Sequence, residues 1–385
     1  MQENEFEVRL RDLLILHAGY LARYSTGLKN RIIKTLNSTL RGLEAHLAAR
    51  LVKIDERGLD MGPATTRRLD GQIREINALV KQAYKATNET ILTELGALAE
   101  DEVAFTTSAI KNVKASITKD SRPKGTVTIK QAGTAKKAVK LELQYPTLSP
   151  APQMIRAIVD TSPMSGRHLK AWTDKLTKDT QDEIERVIRD GMTQAKTTDE
   201  IVREIIGTRA NKYSDGILQA SRRSAETMVR TAVTHIHNVA AQMSYAENSD
   251  VVKGWKYLAT LDYRTTRKCM GLAGRVYEIG KGPIPPNHAR CRSICQPVTV
   301  TLRELGVDAD EGTGLTRASV NGPVKGDITH DEWMRGQSAA VQDDMLGPIR
   351  AKKFRAGKLS LKDFVADDGR EFTLAELRAK HPTAF

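Results

Sequence analysis

The stretch LNSTLRGLEAHLAARL, residues 36–51, sets the fold class of this chain. Its leucines recur three or four residues apart, a spacing that places them on one face of an α-helix. No proline interrupts residues 5–53, so the pattern predicts one long helix over them. A turn with glycine and proline at residues 57–63 precedes a second apolar stripe, which predicts another long helix over residues 64–115.

Two helices of this length joined by a short turn are typical of an antiparallel hairpin. Residues 1–115 are therefore predicted to form a helical hairpin. This hairpin is either a pair of core helices in a bundle or an elongated arm that packs on other subunits. The chemistry of the segment is compatible with both.

The composition of the chain favours helices over a β-sandwich or barrel. Hydrophobic residues make up 40% of the 385 residues but aromatic residues only 5%, so the core must consist mainly of Leu, Ile, Val and Ala. The formal net charge of +13 indicates a polyanionic neighbour, either nucleic acid or an acidic protein surface. The acidic N-terminus is unlike a secretory signal, and no apolar run is long enough to predict a membrane span.

Residues 116–152 are predicted to be a basic connector. Glycines and prolines exclude a continuous helix here, and short strands are predicted at residues 127–129 and 139–143. Basic side chains outnumber acidic ones, so the segment is either a solvated linker or a contact to DNA or a partner protein. The residues that would contact DNA are Lys119, Arg122, Lys124, Lys130, Lys136, Lys137 and Lys140.

Helical periodicity returns over residues 153–250, which are predicted to form a helical domain. Within it, Thr197 and Glu200 precede a run rich in isoleucine and predict a capped helix start. Gly207 predicts the end of the same helix.

After residue 250 the pattern changes from helical to strand-like. Residues 251–300 are predicted to form a small α+β domain, with strands at residues 251–260, 275–278 and 294–300. Residues 301–385 are predicted to be a C-terminal extension, irregular apart from helical units at residues 330–345 and 373–380. The predicted fold class is thus mainly α, with a long N-terminal helical hairpin and a small α+β C-terminal domain.

All three cysteines of the chain fall within the small domain. Cys269, Cys291 and Cys295 are expected to be free thiols or metal ligands rather than a disulfide framework. Together with His288 they supply the ligands of a closed Cys₃His zinc site, although no C-x₂-C pair is present. The alternative is a small core in which the thiols pack as apolar groups and His288, after two stiff prolines, bonds to the backbone.

The same region carries a specific block of motifs. It reads WKYLATLDYRTTRKCMGLAGRVY over residues 255–277 and PIPPNHARCRSICQPV over residues 283–298. This block resembles the C-terminal signature of the Mu F-like minor head proteins of tailed phages, with its Trp strand, D-x-R-T turn, Cys, Gly before a short strand, and P-P-x-H-x-x-C-R. The residues that carry the resemblance here are Arg230, Thr231, Trp255, Asp262, Thr265, Cys269, Gly274, Pro286, His288, Cys291 and Arg292.

The resemblance extends beyond the block, with two departures. The helix at residues 225–240 is similar to the family's R-T-E…N-x-A helix but has Ala232 where Glu is usual. Cys291 is followed by R-S-I-C where C-R-C is common. The tail at residues 346–377 is similar to the C-terminal extension of many members, so the resemblance covers roughly residues 154–380.

The resemblance implies a structural protein and not an enzyme. It implies a minor head protein made in the host cytoplasm and present in the virion, near the portal vertex, where it joins the portal to the shell. The implied partners are portal protein and major capsid protein, with scaffold and packaged double-stranded DNA as further candidates and no membrane. The one candidate cofactor is the zinc ion considered above.

Two catalytic alternatives stay open, a nuclease associated with the phage head and an ADP-ribosyltransferase-type effector. Glu183 and Glu185 have the two-glutamate spacing of ADP-ribosyltransferases, but their charged helical run favours a solvated face. A nuclease would use basic and acidic residues of the C-terminal extension, namely His330, Asp331 and Glu332 with Arg350 or Arg355.

Two further pairs of residues that include a histidine are considered as sites. Cys269 and His288 have the chemistry of a nucleophile–base pair, but no third orienting group is evident. His235 and His237 do not share a helix face and are not expected to bind one metal ion.

Overall fold

The computed structural model describes residues 5–55, 63–120, 147–194, 196–208, 210–211, 213–300 and 316–385. It is mainly helical, with long N-terminal helices and a small antiparallel sheet near the C-terminus, which confirms the predicted fold class. The strands predicted at residues 127–129 and 139–143 lie outside the described residues, as does the predicted turn apart from Pro63.

The helices follow the predicted periodicity closely. In chain order they are α1 (Glu5–Asp55), α2 (Pro63–Asp120), α3 (Pro152–Asp160), α4 (Leu169–Thr193), α5 (Thr198–Ile206), α6 (Leu218–Glu247), α7 (Arg267–Leu272), α8 (His330–Arg335), α9 (Ala339–Leu346), α10 (Pro348–Arg355) and α11 (Leu374–Lys380), with 3₁₀ turns at Leu361–Phe364 and Pro382–Ala384. Residues 116–120, predicted to begin the connector, are helical instead, because no glycine or proline stops α2 before Pro123.

The strands form two separate sheets. β1 (Val252–Leu258) lies between β2 (Val276–Tyr277) and β3 (Ile294–Thr299), and both pairings are antiparallel. These strands lie within the three predicted segments. β4 (Thr316–Ser319) and β5 (Gly322–Lys325) form a hairpin with a two-residue loop, where the sequence was predicted to be irregular.

The C-terminal extension is more regular than predicted. The helical unit predicted at residues 330–345 is two helices, because Gly336 ends α8 and the Ser338 side chain caps α9. Gly347, with a positive φ of 81°, then ends α9 and leads into α10, which the sequence reasoning missed.

The chain divides into two compact units built from segments that are distant in sequence. Unit 1 comprises Met1–Tyr20, Ala99–Ile155 and Thr234–Phe385, and unit 2 comprises Leu21–Leu98 and Arg156–Val233. The five successive segments predicted above remain a prediction. Within the part of the chain that the structure describes, no helix combines the length and hydropathy of a membrane span.

Unit 2 is a helical bundle with a buried aliphatic core. Contacts between α2 and α4 are antiparallel, since Gln181 donates to the Asn77 carbonyl over 2.7 Å and Asn88 donates to Thr177 over 3.1 Å. The predicted cap of α5 is confirmed, as Thr197 and Glu200 form a reciprocal capping box. The core consists of Leu28, Ile32, Leu36, Ile73, Ile76, Val80, Ile184, Val187, Ile188 and Ile205.

Unit 1 has one continuous core that joins the three-stranded sheet to the C-terminal extension. Trp255 and Tyr257 of β1 pack in the same cluster as Phe354 and Phe364 of the extension. Arg275 strengthens this join, since it donates to the carbonyls of Lys362 and Val365 over 2.8 and 2.6 Å. The extension is therefore part of the same folded body as the motif block.

Candidate functional site

Three of the four predicted metal ligands converge in unit 1. The Sγ atom of Cys269 lies 3.1 Å from Nε2 of His288 and 3.8 Å from Sγ of Cys291. The three ligand atoms all lie within 4.8 Å of one another. Both thiols are buried and His288 is half-buried, so the cluster faces solvent on the imidazole side.

The fourth predicted ligand, Cys295, is not part of this group. Cys295 is buried in β3, where its backbone N–H donates to Asn238 over 2.8 Å and its carbonyl accepts from the Tyr245 hydroxyl over 2.8 Å. These bonds to α6 hold Cys295 as part of the strand. Of the predicted Cys₃His set, the structure therefore brings together Cys269, His288 and Cys291.

His288 has the tautomer that a metal ligand needs. Its Nδ1 lies 2.8 Å from the carbonyl oxygen of Ala289, which can only accept a hydrogen bond, so Nδ1 carries the hydrogen. The Nε2 atom therefore presents its lone pair to the thiols when the ring is neutral. Such a bond from the second nitrogen to a carbonyl is the usual support of a metal-bound histidine.

The two thiols of the group differ in acidity. The hydrogen bond from Cys269 and the nearby His288 lower the pKa of Cys291 to about 3, against the opposing effect of burial. The hydrogen bond to Cys291, together with burial, raises the pKa of Cys269 well above its usual range. The hydrogen bond to Cys291 also raises the pKa of His288, although burial opposes it. One thiolate is thus already stabilised here, and a thiolate is the form of cysteine that binds metals.

Local structure explains how the sequence delivers these ligands. Thr266 caps α7 and accepts from the Cys269 N–H over 3.4 Å, which places Cys269 in the first turn. Thr234 of α6 donates to the Cys291 carbonyl over 2.7 Å. The Tyr257 hydroxyl of β1 lies 3.2 Å from Sγ of Cys269.

A polar face of α6 attaches the motif block to the helical part of unit 1. Thr234, Asn238 and Tyr245 lie on this face and bond to the backbone of residues 291–295. Asn238 alone both accepts from the Cys295 N–H and donates to the Ser293 carbonyl over 3.2 Å. Asn238 belongs to the family motif of this helix, but its bonds to the backbone of β3 and of the residue before it were not predicted.

Asp262 organises the turn after β1, as the D-x-R-T motif predicts. It accepts from the Arg264 N–H over 3.0 Å and lies 3.1 Å from the Thr265 hydroxyl. Its carboxylate also pairs with two nitrogens of Arg292, one of them at 2.7 Å. Burial raises the pKa of Asp262, but the hydrogen bonds and charge of Arg292 outweigh burial and hold the pKa below its ordinary value.

Asp262→Asn is expected to lower the free energy of unfolding by about 1.5–3 kcal/mol at neutral pH, because it removes charge-assisted hydrogen bonds. A lowered folded pKa contributes stability above the unfolded value of about 4, and that stability is lost as pH falls through the folded pKa. The difference in thermal stability between wild type and variant should therefore shrink on acidification. A difference that stays constant from neutral pH to pH of about 2 would contradict this.

A matched control removes a carboxylate that is not buried. Asp367 pairs with Arg275 but is 93% exposed, so Asp367→Asn should change the free energy of unfolding by no more than about 1 kcal/mol.

The remaining motif residues have structural contacts. Arg230 pairs with Glu226 over 2.9 Å and Thr231 donates to the Thr227 carbonyl over 2.6 Å, both within α6. Gly274 has a φ of 75°, which favours glycine, and its N–H donates to Tyr257 over 2.8 Å. The peptide bond before Pro286 is cis.

The residues of the enzymatic alternatives lie in ion pairs and caps. Glu183 pairs with Arg186 over 2.7 Å on the surface of α4, and Glu185 pairs with Arg189 over 2.9 Å. Glu332 accepts from the Thr329 N–H in a capping box. In the same extension, Asp331 pairs with Arg335, Arg350 donates to the Phe372 carbonyl and Arg355 pairs with Asp343.

Most of the predicted DNA-binding residues lie outside the described residues. Lys119 is in the last turn of α2. The others, Arg122, Lys124, Lys130, Lys136, Lys137 and Lys140, fall in the part of the chain that the structure does not describe.

Unit 1 contains a second cluster that was not predicted from the sequence. His17 of α1, Glu102 of α2 and His237 of α6 meet inside the unit, although they are far apart in sequence. Nε2 of His17 lies 2.9 and 2.8 Å from the two Glu102 oxygens, and Nδ1 of His237 lies 2.7 Å from Oε2. Burial raises the pKa of Glu102, but hydrogen bonds from both histidines outweigh it and lower the pKa to about 2.

Comparison with known proteins finds a family model that the central part of the chain resembles. Residues 154–297 match the family model described as Phage Mu protein F like protein. Neither a curated protein nor a solved structure matches the chain. The match ends before the C-terminal extension, so the resemblance of residues 346–377 stays a prediction. Residues 154–297 are therefore similar to the phage Mu protein F-like family, as the motifs predicted.

Proposed function

We propose that this chain is a structural protein of a tailed-phage head that acts in head assembly at the portal vertex. The match of residues 154–297 to the phage Mu protein F-like family carries this proposal. The net charge of +13 is further support. Portal protein and major capsid protein are the proposed partners, with scaffold and packaged DNA as further candidates.

The contacts of the motif residues support an architectural role. Trp255 is fully buried, Asp262 pairs with Arg292 at a turn, and Gly274 occupies a left-handed position. Each of these features stabilises the fold. None of them places a reactive group at an open cleft, which is what a catalytic site requires.

We also propose that Cys269, His288 and Cys291 bind one zinc ion. The short distances between their ligand atoms, the lowered pKa of Cys291 and the carbonyl bond of His288 support this assignment. The ion would link α7 to the loop before β3, where the chain has few bulky apolar side chains. Its role would be structural, since a linked loop keeps its shape without a large core.

Association with head components is the first test of the proposed function. The full chain should co-purify with portal or capsid protein from infected cells, and it should be present in purified heads. Its absence from heads and from assembly intermediates would contradict the structural role and favour the nuclease alternative.

We expect weak, sequence-independent binding to double-stranded DNA, driven by the net positive charge. Such binding should weaken steeply as salt rises. Each phosphate contact should contribute about −0.9 to the slope of the logarithm of the binding constant against the logarithm of the salt concentration. Fluorescence anisotropy across a salt series should show a smaller slope after Lys130, Lys136, Lys137 and Lys140 are changed to Gln together. Affinity that resists high salt, or that prefers one sequence, would contradict this prediction.

Helix α4 provides the matched control for this experiment. Lys170, Lys175 and Lys178 each pair with an aspartate one turn ahead. Their replacement by Gln removes three charges of the same type from a compensated surface, and we expect the salt dependence to change less for each lysine removed. An equal change for each lysine removed would show that only net charge matters.

A further inference from the structure

We propose that His17, Glu102 and His237 form a second metal site, which binds a divalent first-row transition-metal ion. The site lies entirely within unit 1 and draws one ligand from each of three helices. Its three ligand atoms lie within 4.8 Å of one another. Two imidazole nitrogens and a carboxylate oxygen are suited to zinc, iron, cobalt or manganese.

The tautomers of the histidines show how the ion would be bound. The ionised carboxylate of Glu102 only accepts hydrogen bonds, so Nε2 of His17 and Nδ1 of His237 carry their protons in the metal-free protein. Movement of each proton to the other nitrogen of the same ring frees both lone pairs for the ion. No proton is lost in this step, and the ion replaces two hydrogen bonds.

The second nitrogen of His237 can take part in this change of tautomer. Nε2 of His237 is buried and has no hydrogen-bond partner among the described residues, and the side chain is 0% exposed. In the metal-bound tautomer this nitrogen takes up the proton released from Nδ1.

The surroundings provide both a rigid shell and an entry route. The ring of Phe105 stacks on that of His17, with centroids 3.6 Å apart. Phe105 also packs against the small apolar cluster of Leu14, Leu258 and Ile294. His17 itself is 11% exposed, which leaves one side open to a solvent molecule as a fourth ligand.

The two metal sites of unit 1 differ in ligand type, so one experiment can separate them. The purified full chain is first stripped of metal with a chelator. One sample is then titrated with Co²⁺. A second sample is loaded with Zn²⁺ and dialysed, and its zinc content is measured by elemental analysis. Cobalt bound to thiolates gives a charge-transfer band in the near ultraviolet, whereas cobalt at His17, Glu102 and His237 gives only d–d bands. The wild type should bind one cobalt ion that adds no charge-transfer band, whether or not a second cobalt ion binds at the thiolates.

Variants then assign this ion to the cluster. His17→Gln and Glu102→Gln should each lose one zinc ion per chain and the d–d-only cobalt species, while keeping the charge-transfer band. His168→Ala removes an exposed imidazole at the residue before α4 and should change neither signal. X-ray absorption of the zinc-loaded wild type needs no variant, and it should show a nitrogen and oxygen shell at about 2.0–2.1 Å.

A wild-type chain that binds no ion outside the thiolates would overturn the assignment, and the cluster would then be a buried hydrogen-bond network. An ion that persists in both folded variants would overturn it equally. The zinc count and the cobalt spectrum of the wild type decide the matter even where a variant fails to fold.

Discussion

Trp255→Ala is expected to lower the free energy of unfolding of unit 1 by about 3–5 kcal/mol, as for other large aromatic side chains removed from a core. Trp255 is fully buried, and its indole N–H donates to the carbonyls of Glu278 and Lys281 over 3.1 and 3.0 Å. Its ring also lies 4.9 Å from that of Tyr277. The substitution therefore leaves a cavity and two carbonyls without their donor.

Chemical unfolding monitored by circular dichroism would measure this effect. Val276→Ala is a suitable control, because Val276 lies on the neighbouring strand β2 but is 45% exposed. The control should stay within about 0.5 kcal/mol of wild type. A loss of less than about 1 kcal/mol for Trp255→Ala would contradict this prediction.

Cys291→Ser is expected to release the proposed zinc ion and to destabilise the region around it in one step. A ligand at a thousandfold excess over its Kd stabilises the folded state by about 4 kcal/mol, and this contribution disappears with the ligand. His288→Ala and Cys269→Ser should have the same double effect. Elemental analysis and thermal melts with and without chelator would measure it.

Cys295→Ala is the matched control, since Cys295 is buried in the same domain but lies outside the ligand group. It should lower stability by about 1–3 kcal/mol through lost packing while zinc content stays unchanged. If wild type contains no zinc, Cys291→Ala should also cost only about 1–3 kcal/mol, and the thiols would be ordinary core residues. A folded His288→Ala variant that assembles heads but loses a hydrolytic or transferase activity would make the group an active site.

Local patterns predicted most of the secondary structure. Apolar periodicity located the long helices, and the capping residues Thr197 and Gly207 located both ends of α5. These features depend on neighbouring residues alone. The helix end at Asp120 was missed because the connector was begun at residue 116, although no glycine or proline occurs between that residue and Pro123.

Long-range contacts were predictable only where a motif carried them. Cys269, His288 and Cys291 were expected to converge, and they do. Cys295 was assigned to the same group on residue type alone, but its position in β3 is set by bonds to α6. Strand register and helix contacts decide such placements, and neither can be read from the spacing of the residues.

The cluster of His17, Glu102 and His237 had no sequence signal at all. Its members lie on three different helices and share no local spacing. His237 was considered only as a partner of His235, two residues away, and that pair was not expected to bind one metal ion. The partners that it does contact are supplied by α1 and α2.

The position of the chain in the virion tests the central claim most directly. A cryo-EM reconstruction of the phage head, computed without imposed icosahedral symmetry, would locate the chain by the shapes of α1, α2 and the three-stranded sheet. The account predicts density for the chain at the portal vertex, in contact with portal or capsid protein. A head that assembles normally and contains no copy of the chain would contradict it.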